Sequence, residues 1–399
     1  MAQIHHSPAR RLWRFATHTI IPAIALWAGC CTAAEMAAAH PGRYLAYIGT
    51  YTTKGSKGIY VAKFDAATGR ISPPELAAEA GNPCFLAAHP DQKHLLAAVD
   101  AIEPDGKTNS GMAMFAIDQA SGRLSLVNTQ FCGWRAVCHV SVDPSGRCAL
   151  VASYTDGCLA AAPIGTNGIL GDVTAHICHH GSSVNPARQS SPHAHQAVTD
   201  PTDRFVFVCD LGMDKIMSYR LDAAAGLLTP NDPPFTVVAP GTGPRHLAFN
   251  PNGQFAYVIS ELANTVTSFA YDPARGTLSR MQIVSTLPAG YTNFNTAAEV
   301  VVHPSGRFLY ASNRGQNSVV LFRIDPATGL LSPVEHQSTQ GRMPRFIAID
   351  PTGNYLFAAN QESDNVVIFR INPADGRLTL TGQSLKVSVP VCIAFVPAD

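Results

Sequence analysis

Charge is scarce in this chain. Asp, Glu, Lys and Arg make up 14% of its 399 residues, with 28 acidic and 28 basic residues, so no net formal charge remains. Without a basic stripe there is no electrostatic footprint for a nucleic acid, and that class of partner is not expected. Also missing downstream of residue 43 is any 3.6-residue apolar period, which excludes a helical architecture. Past Cys30 and Cys31 the cysteines stand singly, at Cys84, Cys132, Cys138, Cys148, Cys158, Cys178, Cys209 and Cys392, with neither CxxC nor zinc spacing. Most read as small buried strand residues. In an exported protein some of them can pair, and the spacing assigns no partners. No cofactor is expected. No Ser/Gly-rich linker or charge run divides the chain, so one domain is expected where the length would allow two.

What the chain does contain is a phrase repeated seven times, two alternating apolar runs about a proline turn, as in HLAFN-PNG-QFAYVIS. The marker prolines are Pro90, Pro144, Pro201, Pro251, Pro304, Pro351 and Pro397, spaced 54, 57, 50, 53, 47 and 46 residues apart. A second phrase, typified by NTVTSFAYDPARGTLS, also recurs seven times and supplies another hairpin per unit. Four antiparallel strands at a period near fifty predict an all-β, seven-bladed β-propeller over residues 43–399. The last unit stops after CIAFVP, while RYLAYIGTYT (43–52) reads like the second strand RFLYASNRGQ (307–316). The N-terminal strand is therefore expected to pair with the C-terminal strand, closing the ring and removing an open edge.

Residues 1–39 lie outside the repeat. Arg10, Arg11 and Arg14 precede an apolar stretch from Thr19 to Gly29 and then small residues through Ala39, the pattern of a bacterial export signal. The apolar part is short for a membrane span, and cleavage is expected after Ala34 or Ala39. The Arg10–Arg11 pair is compatible with twin-arginine export. Ala28-Gly29-Cys30 resembles a lipoprotein box, with Trp27 where leucine is usual, which makes Cys30 a candidate lipid anchor. A periplasmic or exported location follows.

In a propeller the first strand of each blade lines the channel, and the second runs back beside it. The entry of the first and the exit of the second meet at one mouth. Six residues before each marker proline stand Cys84, Cys138, His195, Arg245, Ala298, Arg345 and Val391. Ten residues after it stand Asp100, Tyr154, Leu211, Glu261, Arg314 and Gln361, and one further back are Asp210, Asn313 and Asn360. Units three to six thus gather His195, Asp210, Arg245, Glu261, Arg314 and Arg345 at one mouth. Arginine forks suit a carboxylate or phosphate and a developing oxyanion. His195 suits a general base that activates water, and Glu261 could steer an arginine or share in proton transfer. Arg345, His193, Asp210, Asn313 and Asn360 are the expected substrate-binding set. His193 and His195 form an HxH that, with Asp210 and a contribution from His179 or His180, offers a metal reading. That reading ranks below the base, because the arginines would repel a cation, and no metal is assigned. By strand alternation His246 should face into its blade as a structural histidine, and Glu299 should cap or orient.

The stretches Ile48-Gly-Thr-Tyr51, Pro192-His-Ala-His195, Asp210-Leu-Gly-Met-Asp214, Gly243-Pro-Arg-His246, Ser260-Glu-Leu262, Ala298-Glu299, Ser312-Asn-Arg-Gly315 and Ala359-Asn-Gln361 span most of the chain from residue 44. Together they resemble the bacterial lactonase family of seven-bladed propellers typified by 6-phosphogluconolactonase. The fungal carboxymuconate lactonizing enzymes share that fold and close a lactone instead of opening one. The resemblance implies a catalytic histidine, glutamate and two arginines, which fall on His195, Glu261, Arg245 and Arg314. It also implies hydrolysis of a small acidic or sugar lactone. The export signal departs from a cytosolic sugar-phosphate enzyme and puts the phosphorylated substrate in question. Two alternatives stand beside this one, a lactonizing cycloisomerase and a non-catalytic periplasmic propeller that binds a protein or glycan.

Overall fold

The computed structural model describes residues 42–398; residues 1–39, where an export signal and a lipid anchor at Cys30 are expected, lie outside them. Seven antiparallel sheets follow one another around a ring. Blades one to six are consecutive in the chain, each running from a first strand at the channel to a fourth at the rim. Blade three is typical, with strands Ala194–Thr199, Phe205–Asp210, Lys215–Asp222 and Leu227–Val237. Its second strand is buried at every position, because both faces pack on neighbouring blades, and its sequence FVFVCD is accordingly a nearly continuous apolar run. The fourth strand is mostly exposed, with only Leu228 and Asn231 buried, as suits a rim strand.

The seventh blade closes the ring as expected. Pro390–Pro397 pairs antiparallel with Arg43–Thr50, from Tyr44 opposite Pro397 to Thr50 opposite Pro390. Its rim differs from the simple four-strand pattern. The position of one outer strand is shared by Arg70–Ile71 and Glu75–Glu79, both paired with Gly58–Asp65. Pro73 and Pro74 fall between the two pieces, and a residue without an N–H cannot extend the ladder.

One recurrent irregularity positions the site. First strands carry a register shift where they enter the channel, between Ala194 and Gln196, Pro244 and His246, Ala297 and Val300, and Pro344 and Phe346. An extra residue at a bulge breaks the alternation of side chains and re-aims its neighbours. His195, Arg245 and Arg345 occupy the same bulge position in three blades.

Candidate active site

The counted register meets at one mouth of the channel, where Pro244 pairs with Ser260, Thr296 with Arg314 and Pro344 with Asn360. A cavity of about 470 Å³ opens there, a size that suits a small molecule. Its wall takes Cys84, Cys138, His195 and Arg345 from first-strand entries, and Asp100, Tyr154, Glu261 and Arg314 from second-strand exits. Tyr51, Thr53, Asn82 and Arg188 complete its polar lining.

Glu261 is the hub of the cationic side. Its Oε2 accepts a hydrogen bond from Arg314 Nη2 at 2.7 Å and lies 3.2 Å from Arg245 Nε, while Oε1 accepts from Arg188 Nη2 at 2.6 Å. Burial pushes the Glu261 carboxyl up, but Arg314, Arg245 and Arg188 together outweigh it and hold the group at about 2. Glu261 is therefore a fixed anion near neutral pH and no acid–base catalyst. Arg245 sits beneath the cavity wall with Nη1 donating to the Ala298 carbonyl at 2.5 Å. Burial, with Arg314 and Arg345 nearby, pushes its guanidinium down to about 9, so it stays charged at neutral pH.

Arg345 has no such partner. Among the described residues no carboxylate lies within ion-pair distance of it, and its guanidinium stands 5.5 Å from the centre of the Tyr51 ring. The cavity wall thus carries three guanidiniums, Arg188, Arg314 and Arg345, with Arg245 behind it, against the carboxylates of Glu261 and Asp100. Asp100 is already engaged by Asn82 Nδ2 at 2.9 Å and Ser110 Oγ at 2.5 Å. The excess positive charge in a half-dry pocket calls for an anion.

His195 is buried, lines the cavity, and has its Nδ1 3.2 Å from His246 Nε2. Burial first, then Arg245, His246 and Arg345, hold its imidazolium form well below the ordinary histidine range. The ring is neutral at pH 7, and Nε2 makes no hydrogen bond among the described residues, so it is the nitrogen left to the cavity. Cys84 and Cys138 are also on the wall, but burial raises both thiols, Cys138 to about 11, so neither offers a thiolate near neutrality.

Other residues singled out in the sequence lie elsewhere. Asp210, Asn313 and Asn360 are fully buried and outside the cavity wall. Asn313 is turned by alternation away from Arg314, which lines the cavity, and all three side chains clamp loop backbone. Asp210 Oδ1 accepts from the N–H groups of His193, Gly212 and Met213, and Oδ2 meets His179 Nδ1 at 2.6 Å. Asn313 Nδ2 donates to Thr286 O, and Asn360 Nδ2 to Thr339 O. His193 stacks on Tyr154 at 4.3 Å between ring centres, its Nδ1 against the Tyr154 carbonyl. The HxH pair is therefore split, one ring supporting the wall and one facing the cavity, and Asp210 is committed to His179.

His246 departs from the expectation drawn by alternation. It contacts Phe85, His139, His195 and Glu299, from four other blades, an encounter that only the channel allows. The bulge at Pro244–His246 is the cause. Arg188 was not anticipated because it lies outside the repeat, in the loop between blades two and three. Its one trace in the sequence is the widest proline spacing, 57 residues from Pro144 to Pro201.

Fold and site together define a seven-bladed propeller with an arginine-rich small-molecule pocket at one channel mouth. The chain belongs to the family described as Lactonase, 7-bladed beta-propeller, which matches residues 45–395. It is 36% identical over 354 residues to the 6-phosphogluconolactonase of Bacillus subtilis, covering 89% of this chain and 99% of that one. The 6-phosphogluconolactonase of Formosa agariphila is 32% identical over 310 residues, 76% of this chain and 85% of its own. Among solved structures, the periplasmic gluconolactonase of Pseudomonas aeruginosa superposes with a TM-score of 0.84 at 35% identity, covering 90% of this chain and all (100%) of that one.

Proposed function

We propose that the protein hydrolyses a small lactone carrying an anionic or polyhydroxylated tail, of the gluconolactone or 6-phosphogluconolactone type. The observation that carries this reading is the pairing, in one cavity, of a neutral His195 with a free Nε2 and a cationic Arg345 without a counter-ion. Arg345 receives the substrate anion, and Arg314 with Arg245 supports negative charge on the carbonyl oxygen. His195 Nε2 takes a proton from water as the hydroxide oxygen bonds to the lactone carbonyl carbon. The tetrahedral oxyanion then collapses, the ring C–O bond breaks, and the proton on Nε2 passes to the departing alkoxide, giving the hydroxy acid. An anion on Arg345 also offsets part of the positive field that weakens His195 as a base.

The relatives named for lactonase activity in Bacillus subtilis and Pseudomonas aeruginosa support this reading. The decisive assay measures opening of glucono-δ-lactone and of 6-phosphogluconolactone above the spontaneous rate, with His195→Ala alongside. An excess rate lost in His195→Ala supports it. No excess on either lactone removes the catalytic reading and leaves a binding propeller.

An exported location belongs to the same proposal. The Arg10–Arg14 and apolar segment supports it, as does the Cys158–Cys178 disulfide between adjacent strands, since such bonds persist in oxidising compartments. One relative is itself named periplasmic. No helix among the described residues is long and apolar enough to cross a membrane. The mass of the mature protein distinguishes cleavage near Ala34 or Ala39 from lipidation at Cys30.

A further inference from the structure

Beneath the cavity three titratable side chains from three successive blades form one hydrogen-bonded line. His195 Nδ1 meets His246 Nε2 at 3.2 Å, and His246 Nδ1 meets both Glu299 oxygens, at 2.9 and 3.0 Å. All three are buried, and only His195 reaches the cavity. The line is held from outside as well. Val300 N donates to Glu299 Oε1 at 3.1 Å, and Glu299 N donates to Ser312 Oγ at 3.0 Å. The rings of Phe85 and His139 pack on His246 from the opposite side of the channel.

Each nitrogen of a neutral imidazole either donates or accepts, so the proton on one ring fixes the proton on the next. With Glu299 ionised, His246 Nδ1–H donates to it and His246 Nε2 must accept. His195 Nδ1 then carries the hydrogen, and Nε2 presents a lone pair to the cavity. With Glu299 protonated, its O–H donates to His246 Nδ1 and every bond reverses. His195 Nε2 then presents an N–H, which cannot take a proton from water.

The geometry points to His246 and Glu299 as positioning residues that set the tautomer of His195, so that Nε2 is a base only when the Glu299 carboxyl is ionised. The inference rests on the reading of His195 as the base. The groups that bear on this line are Arg245 on the same strand as His246, Arg345 and Arg314 from neighbouring blades, Glu261, His139 and the Cys392 thiol. Burial lifts the Glu299 carboxyl to about 8 against the opposing pull of Arg245 and Arg345, which puts the reversal in an accessible range. Burial also keeps His139 and His246 neutral there, so Glu299 is the member of the line that changes charge.

Nitrogen-15 spectra of histidine-labelled protein test this without any substrate, the His195 signals being assigned by their loss in His195→Gln. On raising the pH from about 6 to about 9, the proton of His195 should move from Nε2 to Nδ1, and the move should vanish in Glu299→Gln. In the lactone assay, wild-type kcat/KM should rise about ten-fold between about pH 7 and about pH 9, as one carboxyl titrates. Glu299→Gln should flatten that rise with KM within about two-fold of wild type, whereas Glu299→Asp should restore part of it. A His195 tautomer that stays the same across the range in wild type would overturn the inference, even if Glu299→Gln does not fold. So would a wild-type pH profile retained in a folded Glu299→Gln. A tautomer change in a protein that opens neither lactone would uphold the relay and sink the lactonase reading alone.

Discussion

Arg345 holds its guanidinium 5.5 Å from the centre of the Tyr51 ring and, unlike Arg188, Arg245 and Arg314, shares no carboxylate. A desolvated cation is costly without a counter-charge, and the aromatic face offsets only part of that cost. The balance is left for a ligand. Arg345→Met should therefore raise KM for an anionic lactone by about 10–100-fold, the equivalent of a charged hydrogen bond of about 1.5–3 kcal/mol. Stability should hold or rise, because the substitution removes a partly buried charge that has no counter-ion. Steady-state kinetics beside a thermal melt checks both halves, and an unchanged KM would remove Arg345 from substrate binding.

Glu261 and Arg188 form one ion pair, yet their removal should have unequal consequences. Arg188 is 37% exposed and reaches Glu261 from a loop, so Arg188→Ala should cost roughly 1 kcal/mol or less of stability. Glu261 is buried among Arg314, Arg245 and Arg188. Glu261→Gln would leave those cations without their shared anion and should cost about 3–5 kcal/mol. Urea unfolding of the two variants decides this, and equal midpoints would contradict the hub role.

How far this site was legible in the sequence follows from what the repeat encodes. The proline register located Cys84, Cys138, His195, Arg345, Asp100, Tyr154, Glu261 and Arg314 on one wall, because blades are superposable and equal offsets land at equal heights. Closure by Arg43–Thr50 was legible for the same reason. Asp210, Asn313 and Asn360, expected in the substrate-binding set, lie off the cavity wall and clamp loop backbone, because a count of residues does not say which face of a strand a side chain takes. His246 was misplaced by the opposite error, since the bulge cancels alternation where it was assumed. Arg188 belongs to an inserted loop, and a register carries no information about residues outside it. The partner of Cys158 could not be read either, because strand pairing, not spacing, puts it opposite Cys178.

The Cys158–Cys178 bridge closes a loop of 20 residues between the third and fourth strands of blade two. Removing it frees the unfolded chain, and a loop of this length is worth about 3 kcal/mol on the chain-entropy scale. Cys158→Ala/Cys178→Ala should lower stability by roughly that amount under oxidising conditions and by much less in reductant. Unfolding with and without dithiothreitol measures the difference. The cavity lies elsewhere, so activity at low temperature should be retained.

The channel histidines and Glu299 should give stability a maximum near neutral pH. Burial holds His139, His195 and His246 neutral in the folded protein, well below their ordinary range. Once unfolded, each takes up a proton below about pH 6.5, so the fold loses stability as pH falls through that value, at up to about 1.4 kcal/mol per unit for each ring. Glu299 acts in the other direction. Its folded value of about 8 lies above the unfolded 4.5, so its contribution is intact below about 4.5 and is lost as pH rises through about 8. Under acid conditions the three rings outweigh the one carboxyl and stability climbs with pH; past neutrality only the carboxyl is still changing and stability declines. Glu299→Gln should abolish the alkaline decline while leaving the acid limb in place. Denaturation midpoints across about pH 5–9 would show it, and a Glu299→Gln curve parallel to wild type above about pH 7 would place the alkaline loss on another group.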